Sequence, residues 1–184
     1  QLKEHEGYIS ELFDWLFQPM CYLCIKHCRM PTTMAAQELI FSVCRLFKCM
    51  LDFDNGAASD LVKVIEGAFI YSLTWAIGGC VDGEGRTKFD QYLRGMLDAT
   101  MYETSEWEDF VIKNPDYVLD AERKAVVPLP GEGLIYDYFF DCKTSKYTNW
   151  LSDAPVFKIE RDAKFNSIVV PTIDTIRNEW LLET

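Results

Sequence analysis

The residues best suited to chemistry are Cys21, Cys24, His27 and Cys28, spaced as Cys-x-x-Cys-x-x-His-Cys. Thiolates and imidazole are the ligands zinc prefers, but a structural zinc site draws its ligands from two segments around a turn. Here the four lie in one run that also carries Tyr22, Leu23 and Ile25. The spacing therefore predicts thiols packed inside a helix, where cysteine behaves as a small hydrophobe. A hydrolase built on these residues is the enzyme alternative. It would need a base beside the thiol, with His5 and His27 the only histidines, and a third group to orient that base.

Other clusters reduce to structure in the same way. Asp52, Asp54, Asn55 and Gly56 resemble the start of a calcium loop, yet glycine stands where the third ligand belongs and no glutamate closes twelve residues. A helix-ending turn is expected there. The glycines from Gly78 to Gly85 lack the lysine and hydroxyl of a phosphate loop and predict a flexible connection between helices. Tyr136, Tyr138, Phe139 and Phe140 could stack bases, but no basic residues interleave them, which favours a packed hairpin. Asp137 and Asp141 are expected on a solvated strand face. What remains is the run from Val169 to Arg177, a strand that ends at Pro171 and turns into a capped helix, a geometry that suits the edge of a ligand site.

The elements that must position these residues follow from periodicity. Ile9, Leu12, Phe13, Leu16 and Phe17 make one helical face, which Pro19 should stop or kink. A second helix is predicted over 34–53, capped by Thr33, with Leu39, Ile40, Val43, Leu46, Phe47, Met50 and Leu51 buried. A third, capped by Ser59, runs to Ile77 and is apolar all round in its later half, as a central helix must be. Thr87 with Asp90 resembles a capping box opening a short fourth helix. After Met101 the composition turns to Glu, Asp and Pro, and Pro115, Pro128 and Pro130 mark a connector. Residues 134–141 and 147–151, with a turn from Lys143 to Lys146, read as a β-hairpin, and 168–170 as a short strand. Thr172 should cap a last helix whose apolar face is Ile173, Ile176, Trp180 and Leu181. The fold class is mainly α with a smaller α/β part.

Composition bounds the partners. The 184 residues are 49% hydrophobic and 14% aromatic, enough for a normal core, and the net charge of -11 repels nucleic acid and anionic lipid. The apolar run 68–77 falls short of the roughly 20 residues that span a bilayer. Gln1 leads directly into helical pattern, so no targeting peptide is read. Seven cysteines, an odd number, several of them in apolar helical pattern, fit a reducing, cytoplasmic compartment.

Three blocks carry a resemblance. They are Leu12-Phe13-Asp14-Trp15-Leu16-Phe17-Gln18-Pro19, Ile65-Glu66-Gly67-Ala68-Phe69-Ile70-Tyr71-Ser72-Leu73-Thr74-Trp75, and Val170-Pro171-Thr172-Ile173-Asp174-Thr175-Ile176-Arg177. In order and spacing they resemble the dynein heavy chain, in the stretch joining the second and third AAA+ modules of its motor ring. The run from Glu132 to Tyr138, followed by Phe140 and Asp141, is more similar to axonemal heavy chains than to cytoplasmic ones. The likeness implies a helical lid of the second module over 1–101, a connector over 102–133, and over 134–184 the hairpin and first strand and helix of the third module's large subdomain.

It also implies that Val170, Pro171 and Thr172 line the adenine side of the third nucleotide site, with the phosphate loop expected soon after Thr184. The parent would use ATP or ADP with magnesium. This segment, lacking the phosphate loop, would hold no catalytic residue, no metal and no cofactor of its own. Its partners would be the neighbouring modules of the same heavy chain, with other dynein subunits and microtubules reached through other parts of the parent. Its place would be the cytoskeleton of the cytoplasm or of a ciliary axoneme. The alternative reading is a free-standing acidic helical adaptor that binds a partner through exposed Trp107, Tyr117 or Trp150.

Overall fold

The computed structural model describes residues 2–52, 60–100, 103–118, 120, 122–152 and 172–183. The expected strand at 168–170, the turn at 54–56 and Ser59 lie outside them. The described elements are α1 (Glu6–Leu12), α2 (Gln18–His27), α3 (Ala36–Asp52), α4 (Leu61–Ala76), α5 (Gly83–Asp98), α6 (Ser105–Lys113), a hairpin of β1 (Tyr138–Asp141) and β2 (Lys146–Asn149), and α7 (Ile173–Glu183). The fold is mainly α with a small antiparallel β part, as the patterning implies.

The central helix is α4. Every residue from Val64 to Thr74 is buried, so its mean hydropathy, high enough over Leu61–Cys80 to suit a membrane, is met by protein instead. Its interior hydroxyls are satisfied locally: Ser72 Oγ donates to the Ala68 carbonyl at 2.7 Å and Thr74 Oγ1 to that of Ile70 at 2.8 Å. Along α3 the residues facing α4 are Leu39, Val43, Phe47 and Met50, four of the predicted stripe, each at most 6% exposed. Phe69 stands between Phe13 and Phe47, edge-on to both at 4.7 and 5.6 Å between centroids. Burying each such side chain stabilises the bundle by about 1.5–3 kcal/mol.

Several helix starts differ from expectation. Pro19 does not stop its helix. The backbone passes through a π turn, Phe13–Phe17, directly into α2, so the disruption is a local widening. The start of α3 is at Ala36, not near Thr33, and the Glu38 carboxylate reaches back to accept from the Ala35 N–H at 2.8 Å. Asp60, not Ser59, caps α4. The capping box at Thr87 does not form: α5 begins earlier, at Gly83, where the Asp82 carboxylate accepts from Gly85 N–H at 2.9 Å, so half of the supposed glycine loop is helix. The other half, Gly78–Cys80, is a 3-10 turn.

The connector is more ordered than its prolines imply. It contains α6, capped by Thr104, with Trp107 and Phe110 buried toward α2. The rest has little regular structure among its described residues, and polar tethers hold it and the residues just after it. Pro19 has no N–H for the carbonyl four residues back, Trp15, and the Tyr117 hydroxyl donates to that carbonyl at 2.7 Å. The Ala125 N–H donates to the Leu97 carbonyl at 3.1 Å. The Glu66 carboxylate, 1% exposed inside α4, accepts from the Val127 N–H at 2.7 Å and the Tyr8 hydroxyl at 2.6 Å. Asp90 of α5 accepts from the Ile135 N–H at 2.7 Å and from Arg94 Nε at 2.8 Å. Arg94 then reaches on to the carbonyls of Pro130, at 2.5 Å, and Gly133, at 3.3 Å.

The hairpin follows, in the register Tyr138 with Asn149 and Phe140 with Tyr147. It starts later than predicted, because Ile135–Asp137 form a 3-10 turn. Gly67 lets it approach α4: a β-carbon there would collide with the Phe140 ring.

Two stability measurements follow from the tethers. Glu66→Ala leaves the Val127 N–H and Tyr8 hydroxyl without their acceptor, and urea unfolding should show a loss of about 3 kcal/mol; a loss below about 0.5 kcal/mol would mean that the connector does not depend on Glu66. Tyr117→Phe should cost about 1 kcal/mol in the native background and less in a Pro19→Ala background, where the restored N–H can serve the Trp15 carbonyl. Strict additivity of the two changes would contradict the link between Pro19 and Tyr117.

Candidate functional site

Of the three predicted site residues, Thr172 is described and Val170 and Pro171 are not. Thr172 opens α7 as expected: its Oγ1 accepts from the Thr175 N–H at 3.3 Å, its own N–H donates to Thr175 Oγ1 at 2.7 Å, and its carbonyl receives the Ile176 N–H at 3.0 Å. The residue is exposed. The helix it caps is the element that joins this edge to the rest of the molecule.

The inner face of α7 docks on a cluster of aromatic rings. Trp180 stands edge-on to Tyr71 of α4 at 5.3 Å and to Trp150 at 5.8 Å, and lies 6.2 Å from Phe139 of the hairpin. One turn earlier Arg177, 9% exposed, lays its guanidinium over Trp75 at 5.2 Å, pairs with Asp174 and donates to the Tyr136 carbonyl at 3.5 Å. That carbonyl also accepts from the Trp150 indole N–H at 3.0 Å.

Tyr136 is the hub of the seam. Its ring is edge-on to Trp75 at 5.6 Å and carries the Arg86 guanidinium of α5 at 5.3 Å. A β-carbon on Gly78 would collide with its hydroxyl, so the glycine at the end of α4 is what admits the ring. Burial pushes the phenols of Tyr71 and Tyr136 well above their ordinary range, so both stay neutral. In this arrangement three elements distant in sequence meet on one group of rings, with two guanidinium groups stacked against it.

The Cys-x-x-Cys-x-x-His-Cys run lies on α2 and its C-cap. Cys21 and Cys24 are buried in the bundle and Cys28 is half-buried. His27 Nε2 lies 3.1 Å from an Asp109 carboxylate oxygen that also accepts from the Tyr22 hydroxyl at 2.7 Å. Those hydrogen bonds, Tyr22 first, hold Asp109 below the usual carboxylate range. Among the described residues no three His, Cys, Asp or Glu side chains converge as a metal site.

Asp137 and Asp141 do not form a solvated strand face. Asp137 lies in the 3-10 turn and accepts from the Leu134 N–H at 2.9 Å, while Asp141 accepts from the Lys143 N–H and the Thr144 hydroxyl across the hairpin turn. The aromatics expected to be exposed in an adaptor are covered: Trp107 is 5% and Trp150 3% exposed, and Tyr117 is spent on the Trp15 carbonyl.

Glu66 and Arg94 escaped the motif-based reading, and Asp90 was expected in a capping box rather than as the acceptor of the Ile135 N–H. Glu66 carried a legible signal, as the lone carboxylate in a mostly apolar central helix. Asp90 and Arg94 carried only the ordinary four-residue spacing of a helix ion pair.

The family described as "Dynein heavy chain AAA lid domain" matches residues 9–152, from α1 through the hairpin. Dynein axonemal heavy chain 3 of Homo sapiens is 25% identical over 99% of this chain and 4% of its own length. Dynein axonemal heavy chain 12 of Homo sapiens is 32% identical over 98% of this chain and 6% of its own. The Dynein-1-alpha heavy chain, flagellar inner arm I1 complex, of Chlamydomonas reinhardtii is 23% identical over 97% of this chain and 4% of its own. The chain thus spans a small fraction of the length of the relatives it matches. With the family profile covering the whole bundle, connector and hairpin, the chain belongs to the dynein heavy chain AAA lid domain family.

Proposed function

We propose that this lid is a structural and allosteric segment of an ATP-driven microtubule motor of the axonemal type, coupling the second AAA+ module to the third. In this reading residues 1–101 form the lid of the second module, 102–133 the connector, and 134–184 begin the large subdomain of the third. The loop of Val170, Pro171 and Thr172 contributes to the adenine side of the third nucleotide site. ATP or ADP with magnesium is bound by the parent motor, and this segment alone hydrolyses nothing. Its partners are the neighbouring modules of the same heavy chain, and its place is the axonemal cytoskeleton of a cilium or flagellum.

The observation that carries the reading is the docking of α7 on α4 and the hairpin through Arg177 and Trp180. The helix that begins at Thr172 is thereby fastened to the central helix of the lid. A rotation of the lid would move that helix as a body, because close-packed rings pass displacement on rather than absorb it.

The test belongs in a heavy-chain fragment carrying the whole motor ring. Trp180→Ala with Arg177→Met should lower microtubule-stimulated ATP turnover several-fold while leaving nucleotide affinity at the first module unchanged; full stimulated turnover would sink the coupling role. A photoreactive adenine nucleotide bound to the same fragment should label the peptide containing Val170 to Thr172, and labelling confined to other modules would remove the adenine-side assignment. The isolated chain should show no magnesium-dependent ATP hydrolysis that survives repurification.

A further inference from the structure

The seam and the tethers leave a cleft of about 400 Å³ without a task, lined by α5, the start of α6 and one residue of α2. Its volume falls inside the roughly 300–1,000 Å³ of ligand pockets. Buried Leu23 and Tyr92 line it beside Gly95, and the less buried Asp98, Thr100 and Glu106 complete that wall. Tyr92 is only 7% exposed, yet its hydroxyl has no hydrogen-bond partner among the described residues. A polar group so deeply placed is costly to leave unpaired. Burial pushes the phenol well above its ordinary range, so it stands in the wall as a neutral hydroxyl.

The charges lining the cleft are unevenly committed. Its two cations are engaged elsewhere: the Arg94 guanidinium is held by Asp90 and by the carbonyls of Pro130 and Gly133, and Lys88 donates to the His27 carbonyl at 3.5 Å. The carboxylates are less well matched. Asp98 has no ion pair among the described residues. It lies in the last turn of α5, which carries no basic residue, so its charge adds to the negative end of the helix dipole instead of opposing it. Hydrogen bonds from its own backbone N–H and from Ser105 hold the Glu106 carboxyl below the usual carboxylate range, and it stays charged.

We propose that this cleft is a docking site for an arginine side chain of a basic partner peptide. The guanidinium would meet Asp98 and Glu106, with the Tyr92 hydroxyl as a further acceptor, and the aliphatic stem would lie on Leu23 and the Tyr92 ring. A planar head with five donors can serve several acceptors at once, where a lysine ammonium acts as a point charge. The net charge of -11 draws such a peptide towards the chain before it docks. An anionic ligand would face two carboxylates, with both nearby cations already occupied. The site belongs to α2, α5 and α6 and does not depend on the coupling through α7.

The experiment titrates the isotopically labelled full chain with the blocked peptide acetyl-Gly-Gly-Arg-Gly-Gly-amide and follows amide chemical shifts. Saturable shifts should centre on Leu23, Tyr92, Gly95, Asp98 and Glu106. The isosteric peptide with neutral citrulline in place of arginine should bind at least about fivefold more weakly, since both ion pairs are lost. Asp98→Asn changes an exposed side chain, should leave the rest of the spectrum native, and should weaken the arginine peptide about threefold. Equal affinity for the citrulline peptide would overturn the proposal. So would shifts scattered over the acidic surface and unmoved by Asp98→Asn. A native chain that shows no saturable shift would overturn it as well, a result that does not depend on any variant folding.

Discussion

The fold depends on where the connector finds partners for its buried backbone. A segment without helix or strand carries N–H groups that its neighbours in sequence do not satisfy, and leaving one unpaired in the interior costs about 1–3 kcal/mol. Two carboxylates on the bundle meet that demand. Glu66 receives Val127 of the connector and Asp90 receives Ile135 just beyond its end, both at 2.7 Å. Each carboxylate also has its own second donor, the Tyr8 hydroxyl or the Arg94 guanidinium, so neither is left short of hydrogen bonds. With Val127 and Ile135 fixed, Tyr136 has one place to go, and the hairpin and α7 assemble on it.

The bundle itself was legible because its signals are local. The stripe along α3 and the uniformly apolar stretch of α4 show how each helix is buried before its neighbours are known, and Thr172 announces its own helix. The misplaced helix starts were failures of the same kind: choosing between Thr33 and a start at Ala36, or between Asp82 and Thr87, depends on backbone dihedrals that a string does not carry.

The connector was illegible for a different reason. Its prolines state only that no long helix can form; they say nothing of the Trp15 carbonyl that Pro19 leaves for Tyr117 across 102 positions. The site was legible in outline and obscure in detail. Thr172 capping the last helix follows from the residues near it. The seam that gives this helix meaning joins Tyr71 and Trp75 to Tyr136, Trp150, Arg177 and Trp180, and no spacing rule links residues so far apart. Aromatic richness was visible, but richness alone fits an exposed adaptor surface equally well.

The division of labour within the molecule follows from these two kinds of contact. Carboxylate tethers are short and directional, so they set the register of the connector and tolerate little movement. The ring cluster is held by area and by stacked guanidinium groups, interactions that keep much of their strength through small changes of angle. The first kind suits holding a chain in place, and the second suits a contact that persists through small rotations. The tethers thus stand behind Tyr136 and the broader contacts in front of it, so α7 touches the aromatic seam directly and is linked to the hydrogen-bonded connector through Tyr136.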